Sequence, residues 1–213
     1  MDEIKDFLKS RTFCNLLMVA ANIVVFLILE FIGNTEDVGF MAEHGACYSP
    51  WVVKYGEYYR LFTCMFLHYG IEHLFNNMLV LIFLGDALER SVGKLRYLII
   101  YLGGGVLANV VSCALDYKSG EYAVSAGASG AVFAVVGALV YIVIVNRGRI
   151  AQFTMRRLIL MAMLSLFEGF TSVGVDNAAH VGGFVLGFVF AVLLYRRPRG
   201  ERSFISAGNE PRG

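Results

Sequence analysis

Residues 127–145 read GASGAVFAVVGALVYIVIV, a serine between glycines followed by an unbroken apolar run. The run from Ser129 to the end of this stretch contains no charged residue, so it predicts a helix that crosses a membrane. It is somewhat shorter than the roughly 20 residues that span the hydrocarbon of a bilayer. We therefore expect other helices to surround it.

The composition of the whole chain agrees with a membrane protein. Of its 213 residues, 57% are hydrophobic and 16% are charged, and the mean hydropathy is +0.63. Soluble domains carry about a quarter charged residues, and a soluble domain of this size does not hide so much apolar surface. The composition excludes a soluble enzyme and a disordered chain, and the net charge of +1 argues against a nucleic-acid partner.

Six apolar runs follow one another along the chain, and each predicts a membrane-spanning helix. A segment inside a bilayer must satisfy its own backbone hydrogen bonds, and a helix does so. The chain thus divides into a short cytoplasmic N-terminus (1–12), a six-span domain (13–196) and a flexible cytoplasmic tail (197–213). The six runs are residues 13–32, 73–88, 95–115, 129–145, 158–175 and 177–195.

The distribution of lysine and arginine predicts the orientation. With the N-terminus inside, fifteen of the 18 Lys and Arg residues lie on the cytoplasmic side. Positive residues favour that side, so the chain is expected to be N-in and C-in. The long outer loop at 33–72 is rich in aromatic residues and is expected to lie at the membrane interface. A compact chain without an evident presequence suits a bacterial plasma membrane.

Polar side chains at costly positions indicate a functional site. His73 and Asn77 begin the second span, Ser129 begins the fourth, and His180 lies near the start of the sixth. These spans run in one direction in the predicted topology, so the four residues lie at similar depth near the outer face. Membrane spans seldom keep such groups unless they are used. His73 and Asn77 also share one helix face, because they are four residues apart.

Ser129 has the surroundings of a nucleophile. Gly127 and Gly130 permit a sharp turn beside it, and the start of a helix offers free N–H groups to an anion. A serine needs a base within hydrogen-bond reach, and histidine is the natural choice at neutral pH. The fourth and sixth spans carry stripes of small residues that allow close packing and bring Ser129 to His180. The stripes are Gly130, Ala134 and Ala138, and His180, Gly183, Gly187 and Ala191.

Simpler interpretations of these features stay open at this stage. Gly-x-Ser-Gly also serves helix packing, and a histidine inside a membrane also lines transport paths. The four cysteines form no CxxC or Cys/His cluster, so no metal site is expected. Cys47 and Cys64 share one loop, and both a disulfide and two free thiols are compatible with the sequence.

Four motifs together resemble those of the rhomboid intramembrane serine proteases, across residues 58–195. They are Tyr58-Tyr59-Arg60-Leu61-Phe62-Thr63, His68-x4-His73-x3-Asn77, Gly127-Ala128-Ser129-Gly130 and Ala179-His180-x2-Gly183-x3-Gly187. The resemblance implies an all-α membrane protein with a six-transmembrane-helix rhomboid-like bundle, N-in and C-in, with a long interfacial first loop.

The resemblance also implies a role for each matched residue. Ser129 is expected to be the nucleophile and His180 its general base. The side chains of His73 and Asn77 are expected to bind the oxyanion together with the Ser129 N–H. Structural support is implied for Arg60, His68, Glu89, Gly127, Gly130, Gly183 and Gly187, and close packing for Gly103 and Gly104.

Two positions depart from the family pattern, and two acidic residues are candidates for a third catalytic role. Tyr59 stands where the loop motif usually has tryptophan, and Phe133 where some members have tyrosine, although its ring can still stack on His180. Asp176 is a candidate third catalytic member, but more simply it caps the sixth span. Glu168 in the fifth span is another candidate, with a simpler place at the outer interface.

The expected function is an endopeptidase that cuts transmembrane segments of other proteins with a Ser129–His180 dyad. The substrate helix has to unwind locally, and the outer end of the fifth span is expected to act as a gate. The partners are transmembrane substrates and the lipid bilayer, with no cofactor, no metal and no nucleic acid. One alternative is a non-enzymatic rhomboid-like client binder, expected to lack Ser129 or His180. Another is a transporter, expected to carry polar residues through the whole bundle.

Overall fold

The computed structural model describes residues 11–146, 149–150, 153–154 and 176–197. Long helices form a bundle, and short helices and strand pairs connect them. In chain order the helices are α1 (Phe13–Ile32), α2 (Val38–Glu43), α3 (Ser49–Tyr55), α4 (Arg60–Thr63), α5 (Gly70–Val92), α6 (Lys94–Ser119), α7 (Ser129–Val145) and α8 (Asn177–Leu194). Strand β1 (Cys47–Tyr48) pairs antiparallel with β2 (Val124–Ser125), and β3 (Arg149–Ile150) with β4 (Phe153–Thr154).

Four described helices, α1, α5, α6 and α8, are long and apolar enough to cross a membrane, and α7 is shorter at 17 residues. The predicted bounds of α1 and α7 are confirmed. Helix α5 is longer than the predicted run 73–88 at both ends. It begins at Gly70, and the polar residues after the run continue it to Val92, before Gly93, where φ is +85°. The run 158–175, with Glu168, lies outside the described residues, so the six-span count and the orientation stay predictions.

The all-α prediction missed the two strand pairs. Each strand has only two residues, too few for alternation of apolar and polar residues to reveal it in the sequence. The pair β1–β2 matters for the site, because it joins the first loop to the segment before Ser129, with Cys47 opposite Ser125 and Tyr48 opposite Val124.

Helix α7 lies at the centre of the bundle. Most of its residues are buried, and it packs against α5, α6 and α8. Close approach to α6 uses Gly104, whose Cβ, if present, would lie 2.5 Å from the Cβ of Ala134. A helix surrounded in this way has no polar face, which explains why its sequence is apolar on every side.

Arg60 organises the first loop. Its side chain is 3% exposed and donates to the carbonyl oxygens of Ala42 at 2.5 Å and Ala46 at 3.0 Å. It also pairs with the carboxylate of Glu57, and its guanidinium lies 4.5 Å from the ring centroid of Trp51. Arg60 therefore joins α2, α3 and α4 within the first loop.

The far end of α5 anchors the start of α1. The buried carboxylate of Glu89 accepts from the backbone N–H groups of Cys14 at 3.2 Å and Asn15 at 2.7 Å. Asp86 accepts from the N–H of Thr12 at 2.7 Å. The first N–H groups of a helix have no partner within it, so these two carboxylates cap α1 from a neighbouring helix.

Candidate active site

Two helices begin at the site, and each supplies one reactive side chain. Ser129 is the first residue of α7, and His180 lies in the first turn of α8. The Ser129 Oγ lies 2.8 Å from Nε2 of His180, which is a hydrogen-bond distance. A neutral imidazole nitrogen accepts from a hydroxyl, so the serine can donate to the histidine. His180 is 3% exposed and Ser129 is half-buried, so the pair is open on the serine side.

Glycine contacts between α7 and α8 determine how closely these residues approach. A side chain at Gly183 would overlap the carbonyl oxygen of Gly130, and one at Gly187 would overlap that of Ala134. Gly137 makes the reciprocal contact with the carbonyl of Phe184. The predicted stripes of small residues therefore face each other, and the two backbones are in contact.

Gly127 shapes the turn before the serine. Its backbone φ is +140°, a value that residues with a side chain rarely adopt. A Cβ at this position would also lie 2.8 Å from the ring of His73. The N–H of Gly127 donates to the carbonyl oxygen of Cys64 at 2.9 Å. Only glycine fits this position, and the hydrogen bond holds the turn on the first loop.

His68 supports the same turn through a hydrogen bond. Its Nε2 accepts from the N–H of Ala128 at 3.3 Å, and its ring packs edge-on against His73 at 5.2 Å between centroids. The side chain is fully buried, and burial lowers the pKa of His68 to about 3, with a smaller contribution from His73. The ring is therefore neutral at physiological pH and keeps the lone pair that the backbone N–H needs.

His73 lies beside the serine, and Asn77 lies one turn later on α5. Tyr69 N–H approaches Nδ1 of His73 at 3.4 Å, which assigns the ring proton to Nε2. The amide nitrogen of Asn77 donates one of its two hydrogens to the His73 carbonyl oxygen at 2.9 Å. A Cβ built on Gly127 would lie 3.0 Å from His73 Nε2 and 3.6 Å from Ser129 Oγ. The His73 donor and the hydroxyl thus border the same small space.

Phe133 stacks on the histidine. Its ring centroid lies 4.5 Å from that of His180, with 24° between the planes. The predicted stacking is confirmed. Within the described residues, Nδ1 of His180 has no hydrogen-bond partner. The ring plane is thus fixed by packing and by the single contact with Ser129.

Asp176 caps α8, as the simpler interpretation predicted. One carboxylate oxygen accepts from the N–H of Ala179 at 2.8 Å, and the other accepts from the hydroxyl of Ser112 at 2.5 Å. Among the described residues, Nδ1 of His180 has no hydrogen-bond partner, so this carboxylate does not bind the ring. The predicted cap is confirmed.

The family profile described as the Rhomboid domain matches residues 55–197 of the chain. The matched segment includes Arg60, His73, Ser129 and His180. The chain belongs to the rhomboid family. Its apolar helices and this family make it an integral membrane protein.

Rhomboid proteins of a bacterium and of a plant are similar to this chain. Rhomboid protease GluP of Bacillus subtilis (strain 168) is 35% identical over 178 residues, which cover 84% of this chain and 34% of GluP. RHOMBOID-like protein 5 of Arabidopsis thaliana is 39% identical over 150 residues, which cover 70% of this chain and 48% of that protein. RHOMBOID-like protein 1 of the same plant is 36% identical over 171 residues, which cover 79% of this chain and 42% of that protein. The chain spans about a third to a half of the length of these relatives.

The site of this rhomboid chain includes two polar residues on α6 that the sequence analysis missed. Asn109 donates to the carbonyl oxygen of Leu61 at 2.9 Å and to the sulfur of Cys64 at 3.1 Å. Ser112, one turn later, donates to Asp176. The available signal was a pair of polar residues three positions apart in an otherwise apolar span, which indicates one polar helix face.

The cysteines of the rhomboid chain carry free thiols. Cys47 and Cys64 are both buried and do not form a disulfide. Cys14 and Cys113 are likewise buried and unpaired. In the parts of the chain that the structure describes, no group of three His, Cys, Asp or Glu is arranged to hold a metal ion.

Proposed function

We propose that the chain is an intramembrane serine endopeptidase of the rhomboid type that hydrolyses peptide bonds in or near transmembrane segments of other proteins. The observation that supports it most is the 2.8 Å separation of Ser129 Oγ and His180 Nε2 at the junction of two helices. A serine hydroxyl is a weak nucleophile until a base lies within hydrogen-bond reach. Membership of the rhomboid family supports the same reaction.

In the proposed mechanism, Ser129 and His180 act as a dyad. Oγ attacks the carbonyl carbon of the scissile peptide, and its proton passes to Nε2 of His180. Collapse of the tetrahedral intermediate breaks the C–N bond, and the imidazolium returns the proton to the leaving amine. A water molecule then loses a proton to Nε2 and attacks the acyl carbon. The C–Oγ bond breaks, the imidazolium returns the proton to Oγ of Ser129, and the new carboxyl terminus leaves.

Three donors are proposed to bind the oxyanion. The Ser129 N–H lies at the start of α7, where backbone N–H groups have no partner within the helix and favour an anion. His73 contributes the proton on Nε2, and Asn77 contributes the amide hydrogen that the His73 carbonyl does not use. Donors already in place stabilise the charge without rearrangement during the reaction.

The proposal also covers the membrane topology, the conformation of the substrate and the cofactor requirement. The domain at 13–196 contributes six spans, with both ends inside and the site near the outer face. Substrates are transmembrane helices that unwind locally, because an intact helix hides its peptide bonds. The reaction needs no metal and no organic cofactor, because the serine, the histidine and the N–H donors supply every group that it uses.

The experiment is cleavage of a transmembrane substrate by the purified protein in proteoliposomes. The substrate carries helix-breaking residues in its span, and a matched substrate with leucine at those positions is the control. We expect wild type to cut the first substrate, and Ser129→Ala and His180→Ala to cut neither. The exposed Ser119→Ala variant serves as the matched serine control and should cleave as wild type does. Cleavage by Ser129→Ala at the wild-type rate would overturn the proposal.

A further inference from the structure

The start of α8 is tied to α6 by one short polar contact. The hydroxyl of Ser112 on α6 donates to the carboxylate of Asp176 at 2.5 Å. The other carboxylate oxygen caps α8 through the Ala179 N–H, and the carbonyl oxygen of Asp176 accepts from the N–H of His180 at 3.1 Å. Asp176 therefore holds the first turn of α8 by two bonds, while Ser112, 2% exposed, holds Asp176.

Apolar contacts join the same stretch of α6 to α7 and α8. A Cβ on Gly182 of α8 would lie 3.5 Å from the Cβ of Val111 and 3.7 Å from the α-carbon of Ala108, both on α6. A Cβ on Gly130 of α7 would lie 3.3 Å from the Cβ of Ala108. The same turn of α6 thus packs against the helix of the serine and the helix of the histidine.

The turn of α6 that holds the histidine helix also holds the serine turn. Asn109 donates to Leu61 and to the sulfur of Cys64, and the Cys64 carbonyl accepts from the N–H of Gly127. Ser112 lies three residues later, on the same side of α6. One helical turn therefore fixes both the segment before Ser129 and the segment before His180.

We propose that Ser112 and Asp176 are a positioning pair that sets the place of His180 against Ser129. This inference rests on the proposed function. The need for such a pair follows from the His180 ring, whose Nδ1 has no hydrogen-bond partner within the described residues. Among the described residues, only the Ser129 hydroxyl hydrogen-bonds the ring and Phe133 stacks on it, so its position also depends on the backbone of the first turn of α8, which this pair holds.

We expect the pair to act through geometry, and Asp176→Asn tests this against an effect of the carboxylate charge on His180. Both carboxylate oxygens already accept hydrogen bonds from Ala179 and Ser112, and neither binds the imidazole. An asparagine at 176 keeps an oxygen to cap the Ala179 N–H, and its amide nitrogen can donate to the Ser112 oxygen. A displacement of about 1 Å between reacting groups lowers rates on the order of a hundredfold, so small movements of α8 are measurable.

The test measures the rate at which a fluorophosphonate labels Ser129 in the full chain, together with kcat, KM and the thermal midpoint. We expect Ser112→Ala to lower the labelling rate and kcat about tenfold, and Asp176→Ala about tenfold to a hundredfold, with KM within about twofold. Asp176→Asn should restore most of the rate. Ser112→Ala should add little in the Asp176→Ala background, because the two residues act through one bond.

Each outcome of this test has a distinct meaning. Ser119→Ala, a serine-to-alanine change at an exposed position of α6, should label as wild type does. Equal labelling rates for wild type, Ser112→Ala and Asp176→Ala would overturn the positioning pair. So would an Asp176→Asn variant as slow as Asp176→Ala, because that result assigns the effect to charge. Failure of folded wild type to label would instead contradict the proposed function.

Discussion

The two ends of α5 carry polar residues that are used in different ways. At the end near Gly93, Glu89 accepts from two backbone N–H groups of α1, and Asp86 accepts from Thr12 and Arg90. At the end near Gly70, the imidazole of His73 lies close to Ser129, and the amide of Asn77 keeps one hydrogen that the His73 carbonyl does not use.

The difference distinguishes polar residues that hold the fold from those that are available for chemistry. The bonds at the Glu89 end join one helix to another, so their loss should lower stability. The His73 donor borders the same small space as the Ser129 hydroxyl, so its loss should lower activity and leave the fold intact. Burial alone does not separate the two classes, because Asn77 and Glu89 are both buried.

The largest expected effect is on turnover when the proposed base is removed. His180→Ala should lower kcat by about 10⁴-fold or more, since removal of one member of a serine protease's catalytic set has effects of that order. The variant should stay folded with a modestly lower thermal midpoint, because the change removes one side-chain hydrogen bond and a buried ring that stacks on Phe133. Steady-state kinetics and thermal unfolding in the same detergent measure both quantities. A large fall in the thermal midpoint would place His180 with the stabilising residues instead.

The second effect is on the free energy of unfolding when Glu89, at the end of α5 near Gly93, is replaced. Glu89→Ala leaves the N–H groups of Cys14 and Asn15 without their acceptor and should cost about 2–4 kcal/mol. Chemical denaturation measures the free energy of unfolding, and Glu72→Ala, an exposed glutamate on the same helix, is the matched control. Below its unfolding temperature, Glu89→Ala should still label at Ser129. A stable Glu89→Ala variant that has lost labelling would contradict the comparison.

The third effect concerns one proposed oxyanion donor. His73→Ala should lower kcat about a hundredfold, since removal of one such donor typically has that effect, while KM stays nearly unchanged. The stability of this variant should remain close to that of wild type, in contrast to Glu89→Ala. Reduced stability with normal turnover would show that His73 belongs to the structural class.

The effect that is smallest at neutral pH is the pH dependence that His68 gives to stability. Burial lowers the pKa of His68 to about 3, below its ordinary value near 6.5, so the unfolded chain binds the extra proton first. The stability that comes from the neutral ring is complete above about pH 6.5 and is lost as the pH falls toward 3. His68→Gln, which keeps an acceptor for the Ala128 N–H, should flatten this dependence.

The control for this pH series is His44→Gln, because His44 is the exposed histidine of the first loop. Unfolding curves between pH 4 and 8 compare the two variants with wild type. An unchanged slope in His68→Gln, or a slope removed equally by His44→Gln, would contradict the assignment of a buried neutral ring to position 68.

Much of the fold could be predicted because burial in a membrane leaves a simple pattern. The apolar runs at 13–32 and 129–145 end where the helices end, and the small-residue stripes identified the faces that meet between α7 and α8. The end of α5 could not be predicted from hydropathy, because Asp86 and Glu89 are charged yet buried by partners from α1. Such partners are far away in the sequence.

The site was predictable where a residue type itself suggests chemistry. Ser129 and His180 stood out as a nucleophile and a base at matching depth, and the structure brings them together. Asn109 and Ser112 did not stand out, because asparagine and serine are ordinary packing residues in membrane helices. Their positions matter only through hydrogen bonds to Leu61, Cys64 and Asp176, which a single sequence does not display.

The measurement that tests the central claim most directly is the site of covalent labelling by a fluorophosphonate in lipid vesicles. Mass spectrometry of the folded wild-type protein should find one adduct, on Ser129, and none in Ser129→Ala. His180→Ala should label far more slowly, because the hydroxyl then lacks its base. No adduct on folded wild type, an adduct on another serine, or an equal labelling rate in His180→Ala would contradict the dyad.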